Sequence, residues 1–438
     1  MNAEPQFPLV PLVYAITLGC PKNRVDTEVM LGDLLSHGYV LTADPREADV
    51  LLVNTCGFLR EARDESIETL KEVARDMRPG SRLVAAGCMT EVFRREIAEA
   101  VPEADLFLGT RELLRLRGLL EGSTERNRAM PSAANPRLVT TGDRLAYLKV
   151  ADGCSRRCSF CLIPRLKGRQ HSRTPDDILA EAGDLAAVGV REVVLVAQDL
   201  VHYGADLPGR PGLASLVRRL AREVPTFRWI RLMYLYPRDL DDELLEVVSS
   251  HDNVLPYLDL PVQHADDRVL AAMRRGTSRR SLEALVDRVR RQVPGAVLRT
   301  TYMVGFPGET REAFEGLLSF ARRARFEMAG VFLFSPEPGS RAAELPGQVA
   351  KATRERRRKR LQTVLDTVAA DMFQAVNGQV HEALVESSGG RGAVGRLWFQ
   401  APEVDGVLRL SRCEAPEGEF VDVRITGIRH GDYLGEEA

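Results

Sequence analysis

The chain has 438 residues, enough for about three domains, and its 44 % hydrophobic and 28 % charged content excludes disorder as a description of the whole. Sixty Lys and Arg against 62 Asp and Glu leave a net charge of −2, which excludes a general nucleic-acid coat but not a local basic patch. No run of about 18 apolar residues occurs and MNAEPQFPLV lacks the basic and apolar regions of a signal peptide, so no membrane partner and a cytoplasmic location are expected.

From the N-terminus, Val13–Thr17 is a short apolar run and Lys22–His37 has helical patterning. Val50–Val53 predicts a buried strand, residues 58–75 a helix, Leu83–Ala86 a third strand, Glu91–Ala100 a helix and Leu106–Leu108 a fourth strand. This alternation predicts a parallel α/β sheet domain over residues 1–125. Gly122–Asp143, rich in Gly, Ser, Pro and Asn, reads as a linker.

Strands are next expected at Ala146–Val150, Glu192–Val196, Trp229–Leu232, Tyr257–Leu260, Leu298–Val304 and Ala329–Phe334, with helices such as Pro175–Val188 and Arg279–Arg291 between them. Six such units over residues 140–370 predict an open (β/α)6 barrel rather than the closed eightfold form. A long helix over Ala350–Val376 leads out. Beyond it, VHEALV, GRLWFQ, GVLRLS and FVDVRIT, separated by Gly and Pro turns, predict a small all-β barrel, the third domain, over residues 371–438.

Seven cysteines are too few for a secreted disulfide framework. Cys154, Cys158 and Cys161 form Cys-x3-Cys-x2-Cys just after the first barrel strand. Three thiolates can hold three irons of a cubane and leave the fourth iron open. Structural zinc normally takes four protein ligands; His171 is one candidate for a fourth, and plain core thiols are the remaining reading. The span GCSRRCSFC, with Phe160 before the third cysteine, resembles the cluster motif of the radical S-adenosylmethionine (AdoMet) superfamily. That resemblance implies a 4Fe–4S cluster whose open iron chelates AdoMet, and reductive cleavage to a 5′-deoxyadenosyl radical.

GFPGET, Gly305–Thr310, follows the fifth barrel strand; its Gly305 and Gly308 permit a close backbone approach to a ligand and Glu309 lies beside them. A simple turn with Pro307 is the plainer reading. Gln198 follows the second strand and Gln263 the fourth, both placed to face the mouth as AdoMet contacts or to cap loops.

Cys20, Cys56 and Cys88 look scattered, but each lies just past a predicted strand, and their separations of 36 and 32 residues match one βαβ unit each. In a parallel sheet those loops share one edge, so a second cluster with one open iron competes with unrelated loop cysteines. LGCPKNRVDTE, VNTCGF and AAGCM resemble the N-terminal domain of the methylthiotransferases, and the order of motifs matches that family over essentially the whole chain. The resemblance implies two 4Fe–4S clusters, on Cys20, Cys56 and Cys88 and on Cys154, Cys158 and Cys161, and a C-terminal TRAM-like substrate-binding module. Cys413 matches no family ligand and reads as a structural thiol.

Two branches of the family differ in substrate: an adenosine of transfer RNA, or an aspartate β-carbon of ribosomal protein twelve of the small subunit. GCPKN (Gly19–Asn23), LPVQHA (Leu260–Ala265, with His264 where the RNA branch usually has Ser), YLYP (Tyr234–Pro237) and FSPEPGS (Phe334–Ser340) resemble the ribosomal-protein branch. Asp266 departs from its pattern, which has Ser. From Asp371 to Ala438 there are 12 acidic and 6 basic residues, a net −6, which suits a basic protein better than phosphates or serves only solubility. The run Arg354–Arg360 points the other way, to ribosomal RNA, unless it is solvated or neutralises the acidic module. The resemblance implies polar methylation of a cluster-held sulfur by one AdoMet, then hydrogen abstraction from the aspartate by the radical from a second. It also implies a sulfur donor, an electron donor, and the ribosomal protein, free or in the ribosome, as partners. A non-catalytic iron–sulfur RNA-binding protein is the alternative of a different class.

Overall fold

The computed structural model describes residues 10–123, 130–142, 144–389 and 392–438. The N-terminal leader reading, on residues 1–9, lies outside the described residues, as do positions 124–129 and 143 of the linker. No helix among the described residues is long and apolar enough to cross a membrane.

The chain forms two compact units. The first contains β1 (Leu12–Thr17), α1 (Pro21–Ser36), β2 (Val40–Leu41), β3 (Val50–Thr55), α2 (Arg60–Asp76), β4 (Arg82–Gly87), α3 (Cys88–Ala100), β5 (Ala104–Leu108) and α4 (Leu116–Leu120). Its sheet has the order β2-β1-β3-β4-β5, with every pairing parallel. Central β3 is buried along its whole length, as a strand covered on both faces must be. Its alternate residues serve two cores: Val50 and Leu52 pack with Leu34 and Val84, whereas Leu51 and Val53 pack with Leu70 and Ile97. Sequence patterning does not anticipate β2, whose two residues are too short to show an alternation.

The barrel begins with β6 (Leu145–Lys149). A short ribbon, β7 (Ala151–Asp152) and β8 (His171–Ser172), brackets the Cys154–Cys161 loop and α5 (Ile163–Leu166). Within that insertion, residues 152–156 and 161–171 fold with the first unit. The second unit continues through α6 (Pro175–Ala187), β9 (Glu192–Val196), α7 (Leu213–Glu223), β10 (Trp229–Leu232), α8 (Asp242–Ser250), β11 (Val254–Asp259), α9 (Asp267–Ala272), α10 (Arg279–Gln292), β12 (Val297–Val304), α11 (Arg311–Ala324) and β13 (Met328–Leu333). Its six strands run parallel in the open order β13-β12-β11-β10-β9-β6.

Helix α12 (Lys351–Val376) leads to β14 (Val380–Gly389), β15 (Gly392–Leu397), β16 (Leu408–Ser411), β17 (Phe420–Arg429) and β18 (Asp432–Glu437), which close a barrel in the order β14-β15-β16-β18-β17. Strand β18, DYLGEE, escapes sequence patterning because its polar end hides the alternation. Three side chains anchor this small barrel at the N-terminal ends of the parallel strands. Arg396 reaches Glu192, the first residue of β9, at 2.5 Å, while Arg231 donates to the same carboxylate at 2.8 Å. Asp405 accepts from Tyr257 and, at 3.2 Å, from Arg299. Glu382 accepts from the Trp229 indole and from Arg228, each at 2.9 Å. The C-terminal module therefore closes the end of the barrel opposite its strand C-termini.

Candidate functional site

Strands β1, β3 and β4 are neighbours in one parallel sheet, and a cysteine follows the end of each, directly after β3 and β4 and three residues on from β1. Cys20 is the N-cap of α1, with extended backbone; Cys56 follows β3; Cys88 opens α3. The topology thus brings the three predicted thiols to one sheet edge. Each has a glycine beside it, at a point where a side chain would collide with a neighbouring segment. A Cβ on Gly19, whose φ is +96°, would stand 3.0 Å from the Cys56 sulfur. A Cβ on Gly57 would stand 2.8 Å from the Met89 Cα, and one on Gly87 2.1 Å from the Asn54 side-chain oxygen.

Asn23 organises this edge. Its amide nitrogen donates to the carbonyls of Leu18 and Thr55, both at 3.1 Å, and its oxygen accepts from Cys88 Sγ at 3.4 Å. Sequence reading quotes Asn23 only as part of a motif; its position three residues after Cys20, on the first turn of α1, is the signal that could have singled it out. Burial pushes the Cys56 and Cys88 thiols up, with Cys20 adding to both shifts and Cys56 to that of Cys88, so metal binding here must release protons. Among the described residues, no three His, Cys, Asp or Glu side chains are placed to hold one metal ion.

In the central loop, Cys154 Sγ accepts from the Arg156 amide at 3.4 Å and Cys161 Sγ from the Ile163 amide at 3.5 Å. Cys158, in the barrel unit, accepts from Arg275 Nη1 at 3.4 Å. The guanidinium stacks 4.1 Å from the Tyr236 ring centroid and also donates to the Pro261 carbonyl at 2.6 Å. Arg275 escapes sequence reading because nothing distinguishes it from its neighbour Arg274. His171 is exposed on β8.

Gln198 follows β9, and Gln263, with φ +69°, extends the sheet beside β12 by accepting from Met303 N at 2.7 Å. The GFPGET loop is held from within and from behind. Glu309 accepts from the amides of Gly305 and Phe306 and pairs with Arg357 at 3.1 Å. Burial pushes its carboxyl up to about 7, against the pull of Arg357. Gly305, with φ +77°, is glycine because a Cβ would lie 2.0 Å from Arg354 Cγ; Gly308, at φ +79°, has open space there. On the side where a Cβ would stand, the Gly305 backbone is approached by Arg354.

This also settles much of the Arg354–Arg360 run. Arg354 donates to the Phe334 carbonyl, Arg357 to the Glu309 carbonyl at 2.9 Å, and Arg360 pairs with Glu315 at 2.7 Å. These three, spaced i, i+3, i+6, share one side of α12 and fasten it to the barrel; Arg358 and Lys359 are exposed. Asp266 is the N-cap of α9, accepting from Arg268 N at 3.0 Å and Val269 N at 3.1 Å. Serine caps helices equally well, so the departure from the family pattern preserves the chemistry. Cys413 is buried, as expected for a structural thiol.

His264 is fully buried, with Nδ1 accepting from Asp266 N at 3.0 Å. Burial lowers its pKa to about 4. The unfolded chain, at about 6.5, therefore binds the proton more tightly, so stability falls as pH drops from about 6.5 to about 4. This residue is expected to contribute about 3 kcal/mol to that loss. His264→Asn keeps an acceptor for Asp266 and should flatten the pH dependence of the urea midpoint; an unchanged slope would refute the assignment.

Three family models match the chain in order: uncharacterized protein family UPF0004 at residues 12–109, the radical SAM superfamily at 148–321 and the TRAM domain at 378–437. The radical AdoMet methyltransferase TsrM from Kitasatospora setae shares the fold at TM-score 0.55 and 16 % identity, covering 73 % of this chain and 72 % of that one. The cobalamin-dependent radical enzyme OxsB aligns at TM-score 0.51 and 12 % identity, over 82 % and 56 %. Fold and motifs together define a radical AdoMet enzyme.

Among curated relatives, ribosomal protein uS12 methylthiotransferase RimO of Anaeromyxobacter sp. (strain K) is 44 % identical over 97 % of this chain and 92 % of its own length. RimO of Syntrophus aciditrophicus is 42 % identical over 97 % and 98 %. The chain belongs to the RimO family of methylthiotransferases. As a member it works with two 4Fe–4S clusters and AdoMet.

Proposed function

We propose that this chain adds a methylthio group to the β-carbon of an aspartate in ribosomal protein uS12. Cys154, Cys158 and Cys161 would hold the radical-generating cluster, and Cys20, Cys56 and Cys88 the sulfur-carrying one. The observation that carries this reading is a pair of thiol triplets, each without a fourth local cysteine, in a chain 44 % identical to a uS12 methylthiotransferase. When bound, the clusters supply one-electron cleavage of AdoMet and a carrier for sulfur. The protein's own part is placement. Gly19, Gly57 and Gly87 let the three cysteine segments pack closely at that edge, since a side chain at any of them would run into a neighbouring segment. Arg275 points an N–H at the Cys158 sulfur, and such a donor stabilises the more reduced cluster.

Gln198, Gln263, Gly305 and Gly308 lie at the strand C-terminal ends, where barrels of this kind bind ligands, and are proposed to face AdoMet. Glu309 shapes their loop through its hold on the Gly305 and Phe306 amides. A sulfur donor and an electron donor complete the reaction, with domain limits near residues 125, 140 and 371.

Ribosomal protein is preferred over transfer RNA because GCPKN and LPVQHA stand here and the C-terminal module carries a net −6. Glu414, Glu417 and Glu419 are exposed on the loop between β16 and β17. Reversing all three to Lys should slow association with uS12, most at low salt, since exposed charges act on the on-rate and are screened over about 8 Å at physiological strength. Equal rates for variant and wild type at low salt would remove this module from substrate capture. The test of the function offers anaerobically reconstituted enzyme uS12 and transfer RNA side by side. Methylthio-aspartate in the protein is the expected product; methylthio-adenosine alone would transfer the chain to the RNA branch.

A further inference from the structure

Lys167 directly follows α5, six residues beyond Cys161, and its side chain is 1 % exposed. Its ammonium is 3.1 Å from Asp26 and 3.3 Å from Asp152. Each carboxylate belongs to a different cysteine segment. Asp26 lies on α1, the helix that Cys20 caps; Asp152 ends β7, two residues before Cys154. Asp26 is as buried as the lysine, at 1 %, and Asp152 is 12 % exposed.

Other contacts hold the same segment against the N-terminal sheet. Leu162 and Leu166 pack on Cys88 in one apolar cluster. Thr110 donates to the Leu166 carbonyl at 3.1 Å, and Arg111 to the Lys167 carbonyl at 3.2 Å. These contacts seat the segment, and the Lys167 ammonium reaches α1 and β7 at once.

A buried lysine between carboxylates is an inefficient way to stabilise a fold, because taking the charged groups out of water costs much of what their attraction returns. Well-packed apolar residues in place of such a group are often as stable or more so. The best-attested use of buried ion pairs is to fix register. What is registered here is Cys20 on α1 against Cys154 and Cys161 on either side of the insertion.

We propose that Lys167, with Asp26 and Asp152, is a positioning residue that sets the spacing between the two thiol triplets. It thereby couples radical formation at one to sulfur transfer at the other. The inference rests on the reading that both triplets hold clusters. Its consequence is specific: loosening the bracket leaves each cluster and its own chemistry in place but separates the two events. A misplacement of about 1 Å suffices for a roughly hundredfold loss in a step that depends on approach.

The test compares wild type, Lys167→Met and Asp26→Asn as reconstituted full-length enzymes at matched iron content. Two quantities are read: 5′-deoxyadenosine formed per methylthiolated uS12, and the magnetic interaction between the two reduced clusters in electron paramagnetic resonance. The expected result is an AdoMet cleavage rate close to wild type, a product ratio at least about tenfold more wasteful, and a weakened interaction between clusters. Unchanged ratio and unchanged interaction, with both clusters loaded, would overturn the proposal while leaving the cluster ligands standing. Wild type that loads only one cluster would overturn both. If Lys167→Met fails to fold, Asp26→Asn, which is isosteric and keeps the Lys167–Asp152 pair, decides by the same two readings.

Discussion

Replacing Cys154, Cys158 and Cys161 together by alanine is expected to remove half of about eight irons and abolish AdoMet cleavage. Replacing Cys20, Cys56 and Cys88 together should also halve the iron, yet leave AdoMet cleavage running without methylthio product. The asymmetry follows from the chain's layout. The central triplet lies in one loop between β7 and α5, whereas the N-terminal triplet is assembled from three loops of a separate parallel sheet. Iron analysis and quantification of 5′-deoxyadenosine separate the cases. Full iron content in the N-terminal triple variant would show that those thiols hold no cluster.

Arg396→Ala should destabilise the protein by about 3–5 kcal/mol, the usual cost of breaking a buried ion pair from one side. Glu192 is fully buried, so burial alone would push its carboxyl up; Arg396 and Arg231 outweigh that and hold it below the ordinary carboxylate range. Without Arg396 the carboxylate keeps Arg231 alone, at 2.8 Å, and Glu386 loses its partner. The shift is read from the urea midpoint at constant slope. A change under about 1 kcal/mol, as for a surface pair, would mean that the C-terminal module is only loosely seated. The same contacts rule out a clean truncation. Removing residues from Asn377 onward strips Glu382, Arg396 and Asp405 from the barrel together, so charge reversal is the sharper probe of substrate capture.

How much of this is legible in the sequence depends on the length scale of the signal. The barrel strands at Glu192–Val196 and Trp229–Leu232 coincide with their apolar runs, because a strand covered on both faces has no polar interruption. The N-terminal triplet is legible from spacing, since a cysteine after each of three successive strands must come to one edge once the sheet is parallel. Partners set by tertiary packing are not legible. Lys167, Arg275 and Arg396 are ordinary cations in the sequence, and each becomes informative only once burial has removed water and a specific carboxylate, sulfur or carbonyl has taken its place. The basic run at Arg354–Arg360 misleads for the same reason: three of its cations are occupied by the GFPGET loop, the Phe334 carbonyl and Glu315.

The central claim is that an aspartate of uS12 receives the methylthio group. The most direct measurement is the intact mass of uS12, with the nucleosides of transfer RNA, from a strain lacking this gene and from the same strain complemented by it. The account predicts that uS12 from the deleted strain is lighter by about 46 Da, the exchange of a hydrogen for SCH3, that the gene restores the mass, and that the triplet variants do not. A uS12 of unchanged mass, with methylthio-adenosine disappearing from the transfer RNA instead, would contradict it.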